Sequence, residues 1–314
     1  MRAAPARARR IALALRLDRP LAAAASHPTA GEDALGPAYA HCRAIARRSG
    51  SSFLAAFWLF PRAERDALHA IYAFCRLADD IADDPSVQGD RRRLLERWRE
   101  ELGAAYRGKA EHPVGVALGD AVTRFRLPEA HFLDLLDGIE QDLEGAPIET
   151  FTTLERYCYC VASTVGLLVC AVRGARSPAE VAYATELGIA VQLTNVLRDV
   201  GPDAREGRVY LATEDLRAFG VTPASLAEER PSAAVQSLLR EYVGRARARY
   251  ARADALLPET SRRLLRPAHA MGAIYRDLLE TLAKRRFERL VPALRSGHLR
   301  RLAIAAKTGW GGKK

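Results

Sequence analysis

Apolar residues recur every three to four positions along most of the chain, the period of a helix with one buried face. After Pro61, Leu68, Ile71, Tyr72, Cys75 and Ala78 keep that spacing and predict a helix running to Asp84, where Pro85 stops it. The same period predicts helices over 90–106, 114–125, 129–143, 153–172, 178–200, 232–256 and 267–290. Two short helical turns fit 213–219, closed by Gly220, and 223–229, where Thr222 can cap and Pro223 takes the first position. No alternating strand pairs, hairpin turns or fixed-period repeats compete, and the loops are short. The pattern therefore predicts an all-α chain with one compact helical domain over residues 35–290. Residues 1–34 hold no lasting period and, with Pro5, Pro20 and Pro28 among Ala and Arg, read as a flexible extension; 291–314 read as a basic tail.

Composition narrows the classes. Of 314 residues 49% are apolar, ample for a sizeable core, which excludes wholesale disorder. The formal charge is +10, carried almost wholly by Arg, with Lys only at 109, 284, 307, 313 and 314. Arg suits phosphate recognition because its planar fork binds oxygens in pairs, although biased codon usage also enriches Ala and Arg. The five cysteines, at 42, 75, 158, 160 and 170, form no CxxC pair, which argues against a disulfide framework or zinc site and fits a reducing cytosol. The uncharged run 161–172 is too short to span a bilayer. Arg7, Arg9 and Arg10 before an apolar 11–15 have a faint signal-peptide shape, but Arg16, Asp18 and Arg19 interrupt it, so the expectation is against secretion.

Two carboxylate clusters change the picture. Asp79-Asp80-Ile-Ala-Asp83-Asp84 ends the apolar helix after Pro61. Asp79 and Asp83 lie one turn apart on one face, and Asp80 and Asp84 form a second such pair, rotated about the axis. Like charges at that spacing repel, and carboxylates at a helix C-terminus oppose its dipole, so something should neutralise them. A solvated acidic helix end is the bland alternative. The second cluster, Gln192-Leu-Thr-Asn195-Val-Leu-Arg198-Asp199-Val-Gly-Pro-Asp203, puts a polar stripe on a helix whose preceding residues are apolar enough to be buried. Such a stripe marks a site or a satisfied internal network. Asp199 and Asp203 repeat the one-turn spacing. Hard oxygen donors of this kind suit Mg²⁺, which binds one or two carboxylates while sharing substrate phosphate. A helical di-iron centre wants Glu-x-x-His, and none of the seven histidines has Glu three residues before it. Gly-rich phosphate loops are missing, and no Ser/His/Asp set stands at a recognisable spacing.

Taken together, Ser51-Ser-Phe53, Tyr72-Ala-Phe-Cys-Arg76, Asp79-Asp-Ile-Ala-Asp83, Gln192-Leu-Thr-Asn-Val-Leu-Arg-Asp199 and Asp203-Ala-Arg-Glu-Gly-Arg-Val-Tyr-Leu211 resemble the squalene/phytoene synthase family, in the right order from about Ser51 to Arg286. The resemblance implies a single-domain isoprenoid-synthase helical bundle around a central cavity. It implies that Asp79 and Asp83 face Asn195, Asp199 and Asp203 through Mg²⁺, and that Arg76 and Arg198 contact diphosphate with Gln192 in the same stripe. Tyr72 and Tyr210 match positions near the reacting carbons, and Ser52 and Phe53 an early motif lining the pocket. Arg208 and Tyr275 are further diphosphate contacts, for which a surface Arg and a core Tyr are the plain alternatives.

The implied reaction is head-to-head, 1′–1 condensation of two prenyl diphosphates. The segments 210–221 and 157–174 look most like bacterial enzymes that make presqualene diphosphate from farnesyl diphosphate for hopanoid synthesis; phytoene synthesis from geranylgeranyl diphosphate is the alternative. NADPH is not expected to be needed for either product. A non-enzymatic assembly or binding protein of the same fold is the rival class, and nucleic acid is not an expected partner, because no basic motif with interleaved aromatics appears. The expected setting is the cytoplasm, with peripheral contact on the inner face of the membrane through the basic, apolar-studded 294–314 and with downstream isoprenoid enzymes as candidate partners. Three positions depart from the family pattern. Gly201-Pro202 predicts that the helix ends at Val200, which loosens Asp203; Ala212 stands where Pro is usual after Tyr-Leu; and an Arg usual after the last long helix is missing, with Arg289 or Arg295 as substitutes.

Overall fold

A computed structural model describes residues 32–49, 57, 60–84 and 86–290. They are helical, with no strand among the described residues. The chain divides into two compact units, residues 1–144 and 145–314.

The first unit contains α1 (Glu32–Ser49), α2 (Arg62–Asp83), α3 (Arg91–Tyr106), α4 (Pro113–Phe125) and α5 (Glu129–Glu144). Its centre is aromatic: the Phe74 ring stacks on Trp98 at 5.0 Å and meets Phe132 edge-on at 5.4 Å, all three fully buried. Trp98 buries its one polar atom at no loss, donating Nε1–H to the Phe74 carbonyl at 3.2 Å. Asp90 starts α3 by accepting from the amides of Arg92 and Arg93, at 3.0 and 3.3 Å. The helical domain, expected from residue 35, starts with a helix that begins at Glu32.

The second unit contains α6 (Phe151–Cys158), a π-helical turn (Tyr159–Ser163), α7 (Thr164–Val172), α8 (Pro178–Arg205), α9 (Thr213–Ala218), α10 (Pro223–Ala227), α11 (Ala233–Leu256), a 3₁₀ turn (Glu259–Ser261) and α12 (Arg266–Lys284). The sequence of α8 writes its own start. Ser177 accepts from the Glu180 amide at 3.3 Å while the Glu180 carboxylate accepts from the Ser177 amide at 2.8 Å, a capping box with Pro178 at the first helical position. Thr222 caps α10 as its position predicts, accepting from the Ser225 amide at 3.3 Å.

Three expectations are corrected. The helix expected over 153–172 is wound one residue wider in its middle, because the π turn inserts an extra residue where Ser163 donates its hydroxyl to the Thr185 carbonyl of α8 at 2.7 Å. The helix expected to stop at Val200 continues through Gly201 and Pro202 to Arg205. Pro202, three residues from the helix end, costs one amide hydrogen bond and crowds one carbonyl without stopping the helix, and Gly201 has no side chain to obstruct Leu290, whose Cβ would lie 2.7 Å from a Cβ at 201. The final long helix ends at Lys284 rather than 290, where Arg286 and Phe287 turn to φ of 50° and 52°.

By length and composition the stretch Phe151–Val172 could cross a membrane, but 56% of its apolar window is buried inside the protein, as in a core helix. It meets α8 where Gly188 lies against the π turn; a Cβ at 188 would sit 2.4 Å from the Ser163 Cα. The Ser163 amide nitrogen would be 2.6 Å away as well, and because both Ser163 atoms are backbone neither can step aside. Gly188→Ala is expected to cost about 1–3 kcal/mol of stability by overpacking, read by denaturant unfolding; an unchanged midpoint would show that the helices part freely there. All five cysteines are free thiols.

Candidate active site

Each unit carries one of the two carboxylate clusters. On α2 the residues Tyr72, Arg76, Asp79 and Asp83 follow at intervals of four, three and four, so they share one stripe, and they are half-buried or exposed while Phe74, Leu77, Ala78 and Ile81 are buried. The four aspartates do not form two equivalent pairs. Asp80 is buried and ion-paired with Arg76 one turn before it. Asp84 accepts from the amide and hydroxyl of Ser86, at 2.8 and 2.5 Å, and so shapes the turn after the helix. Asp79, half-buried, and Asp83, exposed, lie on the stripe with Tyr72 and Arg76.

The dipole conflict of an acidic helix end is met from outside the helix. Arg91 donates to the carbonyls of Ile81 at 3.1 Å, Ala82, and Asp84 at 2.9 Å, which places a cation on the C-terminal carbonyls of α2. The repulsion between Asp79 and Asp83 is not relieved in this way. Burial, partly offset by Arg76 and reinforced by Asp83, Asp80 and Asp142, pushes the Asp79 carboxyl up to about 7. Tyr72 stands at the head of the stripe, its ring edge-on to Phe57 at 6.5 Å.

On α8 the stripe Gln192, Asn195, Arg198, Asp199 and Asp203 is half-buried, whereas Leu193, Thr194, Val196, Leu197, Val200 and Gly201 around it are buried. Asn195 donates Nδ2–H to Gln192 Oε1 at 3.1 Å, but its own Oδ1 is buried without a hydrogen-bond partner. An orphaned buried acceptor is costly unless a donor or a cation arrives. Arg198 donates Nε–H to both oxygens of Asp199, at 2.9 and 3.0 Å, adds a contact from Nη2, and hydrogen-bonds Tyr275, a buried side chain of α12. Because the helix runs on past Pro202, Asp203 stays one turn beyond Asp199. Burial first and the Asp199 charge second push its carboxyl up to about 7, with Arg208 pulling the other way. Arg208 donates its amide to the Asp203 carbonyl at 2.8 Å and its guanidinium to Glu206 at 2.7 Å.

Tyr210 stacks on Tyr157 at 5.2 Å with the rings 22° apart. In the sequence Tyr157 reads as core, a Tyr at an apolar position of α6, and only the stacking ties it to Tyr210. Val196, Val200, Asp203, Arg208, Tyr210 and Leu226 line a small crevice between α8 and the strand-free segment after it. Ser52 and Phe53 lie outside the described residues, as does Arg295. Arg289, the other substitute for the missing Arg, ion-pairs with Glu229.

Among the described residues no three His, Cys, Asp or Glu side chains gather into a ready-made metal cluster. The donors on both stripes nevertheless fit a hard divalent cation. All are oxygens, Mg²⁺ needs only one or two carboxylates when phosphate supplies the rest, and the unpartnered Asn195 Oδ1 is a neutral oxygen aligned with Asp199 and Asp203.

An all-helical protein with a Tyr-Arg-Asp-Asp stripe on one helix and a Gln-Asn-Arg-Asp-Asp stripe on another has the fold and acidic helices of the isoprenoid synthases. The squalene/phytoene synthase profile matches residues 46–304, and the chain belongs to that family. It is 35% identical over 263 residues to a phytoene synthase of Arthrospira platensis, covering 80% of this chain and 85% of that protein. It is equally, 35%, identical over 258 residues to a presqualene diphosphate synthase of Rhodopseudomonas palustris, covering 81% and 91%. Among solved structures, a ligand-bound dehydrosqualene synthase superposes with a TM-score of 0.77 at 31% identity, over 88% of this chain and 96% of the other. A squalene synthase of Alicyclobacillus acidocaldarius superposes with a TM-score of 0.75 at 27% identity, over 82% and 98%. The protein is thus a prenyltransferase whose family chemistry is head-to-head condensation of prenyl diphosphates.

Proposed function

We propose that the chain joins two farnesyl diphosphates 1′–1 to give presqualene diphosphate, with Asp79, Asp83, Asn195, Asp199 and Asp203 holding Mg²⁺. The observation that carries the metal and diphosphate part is the half-buried stripe on α8, where an acceptor without a partner, two carboxylates and an Arg stand on an otherwise buried helix. Support for the farnesyl substrate comes from the segments 157–174 and 210–221 and from the presqualene-forming relative matched over 91% of its length.

The chemistry asks little of the protein beyond charge and exclusion of water. In the first step the allylic C–O bond of one substrate breaks and its diphosphate leaves with the electron pair. The C2=C3 double bond of the second substrate attacks C1 of the resulting cation and leaves positive charge on its own C3. C1 of the first substrate then loses one proton, and that electron pair bonds to C3 to close the cyclopropane, the second diphosphate being retained. Mg²⁺ held by the carboxylates and Asn195 would supply positive charge to the leaving diphosphate. Arg76, Arg198 and Arg208 bind phosphate oxygens in forked pairs, with Gln192 beside them and Tyr275 orienting Arg198. The rings of Tyr72 and Tyr210 offer π faces to the carbocation, and the apolar wall formed by the rest of each helix keeps water from quenching it. The sequence of bond changes is redox-neutral, so NADPH is not required.

Purified protein with Mg²⁺ is to be given farnesyl and geranylgeranyl diphosphate separately, and the lipid products identified. Presqualene diphosphate from the first is the expected result. Turnover of geranylgeranyl diphosphate alone, to phytoene, would replace this substrate with the longer one, a reading that the equally identical phytoene synthase keeps open. The segment assigned to membrane contact, 294–314, lies outside the described residues.

A further inference from the structure

A buried polar cluster in the second unit takes no part in the acidic stripes. Its centre is Tyr242 of α11, with no exposed surface. The Tyr242 hydroxyl donates to Asp215 Oδ2 at 2.7 Å and accepts the amide of Ala212 at 2.9 Å. Arg245, one turn along α11, closes on the same carboxylate with both terminal nitrogens, at 2.6 and 2.9 Å. Burial pushes the Asp215 carboxyl up, but the hydrogen bonds from Arg245 and Tyr242 outweigh it and hold it below the usual carboxylate value, so the cluster is charged and intact at neutral pH.

The cluster reaches two chain segments. Ala212, fully buried, is two residues after Tyr210. On the other side the Arg245 guanidinium lies 4.3 Å above the ring of Phe151, which meets the Tyr242 ring edge-on at 5.8 Å. Phe151 opens α6, the helix that carries Tyr157. The two segments are also laced directly: Glu214 accepts the Phe151 amide at 2.6 Å, and the Thr213 amide donates to the Ile148 carbonyl at 2.8 Å. One side chain thus stands between the two segments, its hydroxyl on the backbone leading from Tyr210 and its ring on the helix leading to Tyr157, and these two tyrosine rings stack on each other.

We infer that Tyr242, braced by Asp215 and Arg245, is a positioning residue that sets the Tyr157–Tyr210 ring pair for the reaction. The inference rests on the proposal that Tyr210 faces the reacting carbons. Tyr242 touches no substrate itself; it acts by fixing the amide of Ala212 and the ring of Phe151 in one place.

Tyr242→Phe keeps the ring contact with Phe151 and removes only the hydroxyl. Hydrogen exchange of the unliganded protein is expected to quicken about tenfold at Ala212 and its neighbours, with α11 and the first unit unchanged. At a temperature well below unfolding, kcat is expected to fall about tenfold with little change in KM, because phosphate binding is left intact. Ala212→Pro removes the donor from the other side, and its loss combined with Tyr242→Phe is expected to be less than the product of the two single losses. Asp215→Asn, which keeps an acceptor for the hydroxyl, should retain more activity than Asp215→Ala. Unchanged exchange at Ala212 in Tyr242→Phe overturns the clamp. Faster exchange with unaltered kcat overturns its role in the reaction. The exchange measurement needs no substrate, so a wild-type protein that released no diphosphate would instead refute the proposed function.

Discussion

Asp199→Asn is expected to lower diphosphate release from prenyl diphosphates by about 10²–10³-fold, the range seen when one preorganised electrostatic contact to a developing charge is removed. The substitution is nearly isosteric and still offers an oxygen to Arg198, whose Nε–H lies 2.9 Å from Asp199 Oδ1. Both side chains are about one-quarter exposed, at 26% and 27%, so the ion pair itself adds little stability and the fold should survive unchanged. The loss should appear with a raised Mg²⁺ requirement, read by titrating the metal at saturating substrate. Asp79→Asn should behave alike, because Asp80 and Asp84 are already engaged with Arg76 and Ser86 and cannot replace it. Asp80→Asn, by contrast, acts through Arg76 and should leave the metal requirement closer to that of the wild type. If both Asp79→Asn and Asp199→Asn turned over at wild-type rates with unshifted metal dependence, the assignment of the two stripes to Mg²⁺ would be wrong.

Arg249→Ala is the substitution with the largest expected cost to the fold. Arg249 on α11 donates Nη1 to both oxygens of Glu186 on α8, at 2.9 Å each, and pairs with Glu155 on α6 through Nη2. The three side chains are 14%, 11% and 23% exposed, so truncating the Arg leaves two carboxylates in poor solvent contact. Breaking a buried pair from one side costs about 3–5 kcal/mol. Arg252 also reaches Glu186, at 3.0 Å, which favours the lower end. Urea unfolding should show the midpoint falling with the m-value unchanged. A loss below about 0.5 kcal/mol would place this network with ordinary surface pairs.

The family and the chemistry were legible in the chain because both live in short-range spacing. A stripe at intervals of three and four is fixed by the helical period, so Tyr72, Arg76, Asp79 and Asp83 share a face, as do Gln192, Asn195, Asp199 and Asp203, in any structure that keeps those helices. Oxygen donors without Glu-x-x-His or Gly-rich loops then point to a hard cation and phosphate. Caps such as Ser177-Pro-Ala-Glu180 and Thr222-Pro223 are equally local and mark helix starts in the sequence itself.

Partnership between distant residues is a different matter, and only the tertiary structure decided it. Four aspartates in six residues look equivalent in sequence, yet Arg91 and Ser86 take up the end of α2 and Arg76 takes Asp80, while Asp79 and Asp83 share the stripe of Tyr72 and Arg76. Pro202 reads as a stop because its ring and missing amide are local facts; the approach of Leu290 to Gly201, 89 positions away, lies in a segment the period of α8 says nothing about, and the helix carries Asp203 onward past both. Tyr157 and Tyr242 read as core tyrosines until Tyr210 and Ala212 are found against them. Periodicity fixes which face of its own helix a side chain takes, since that depends on neighbours three or four residues away; which groups meet that face depends on loop geometry and close packing, which no local spacing encodes.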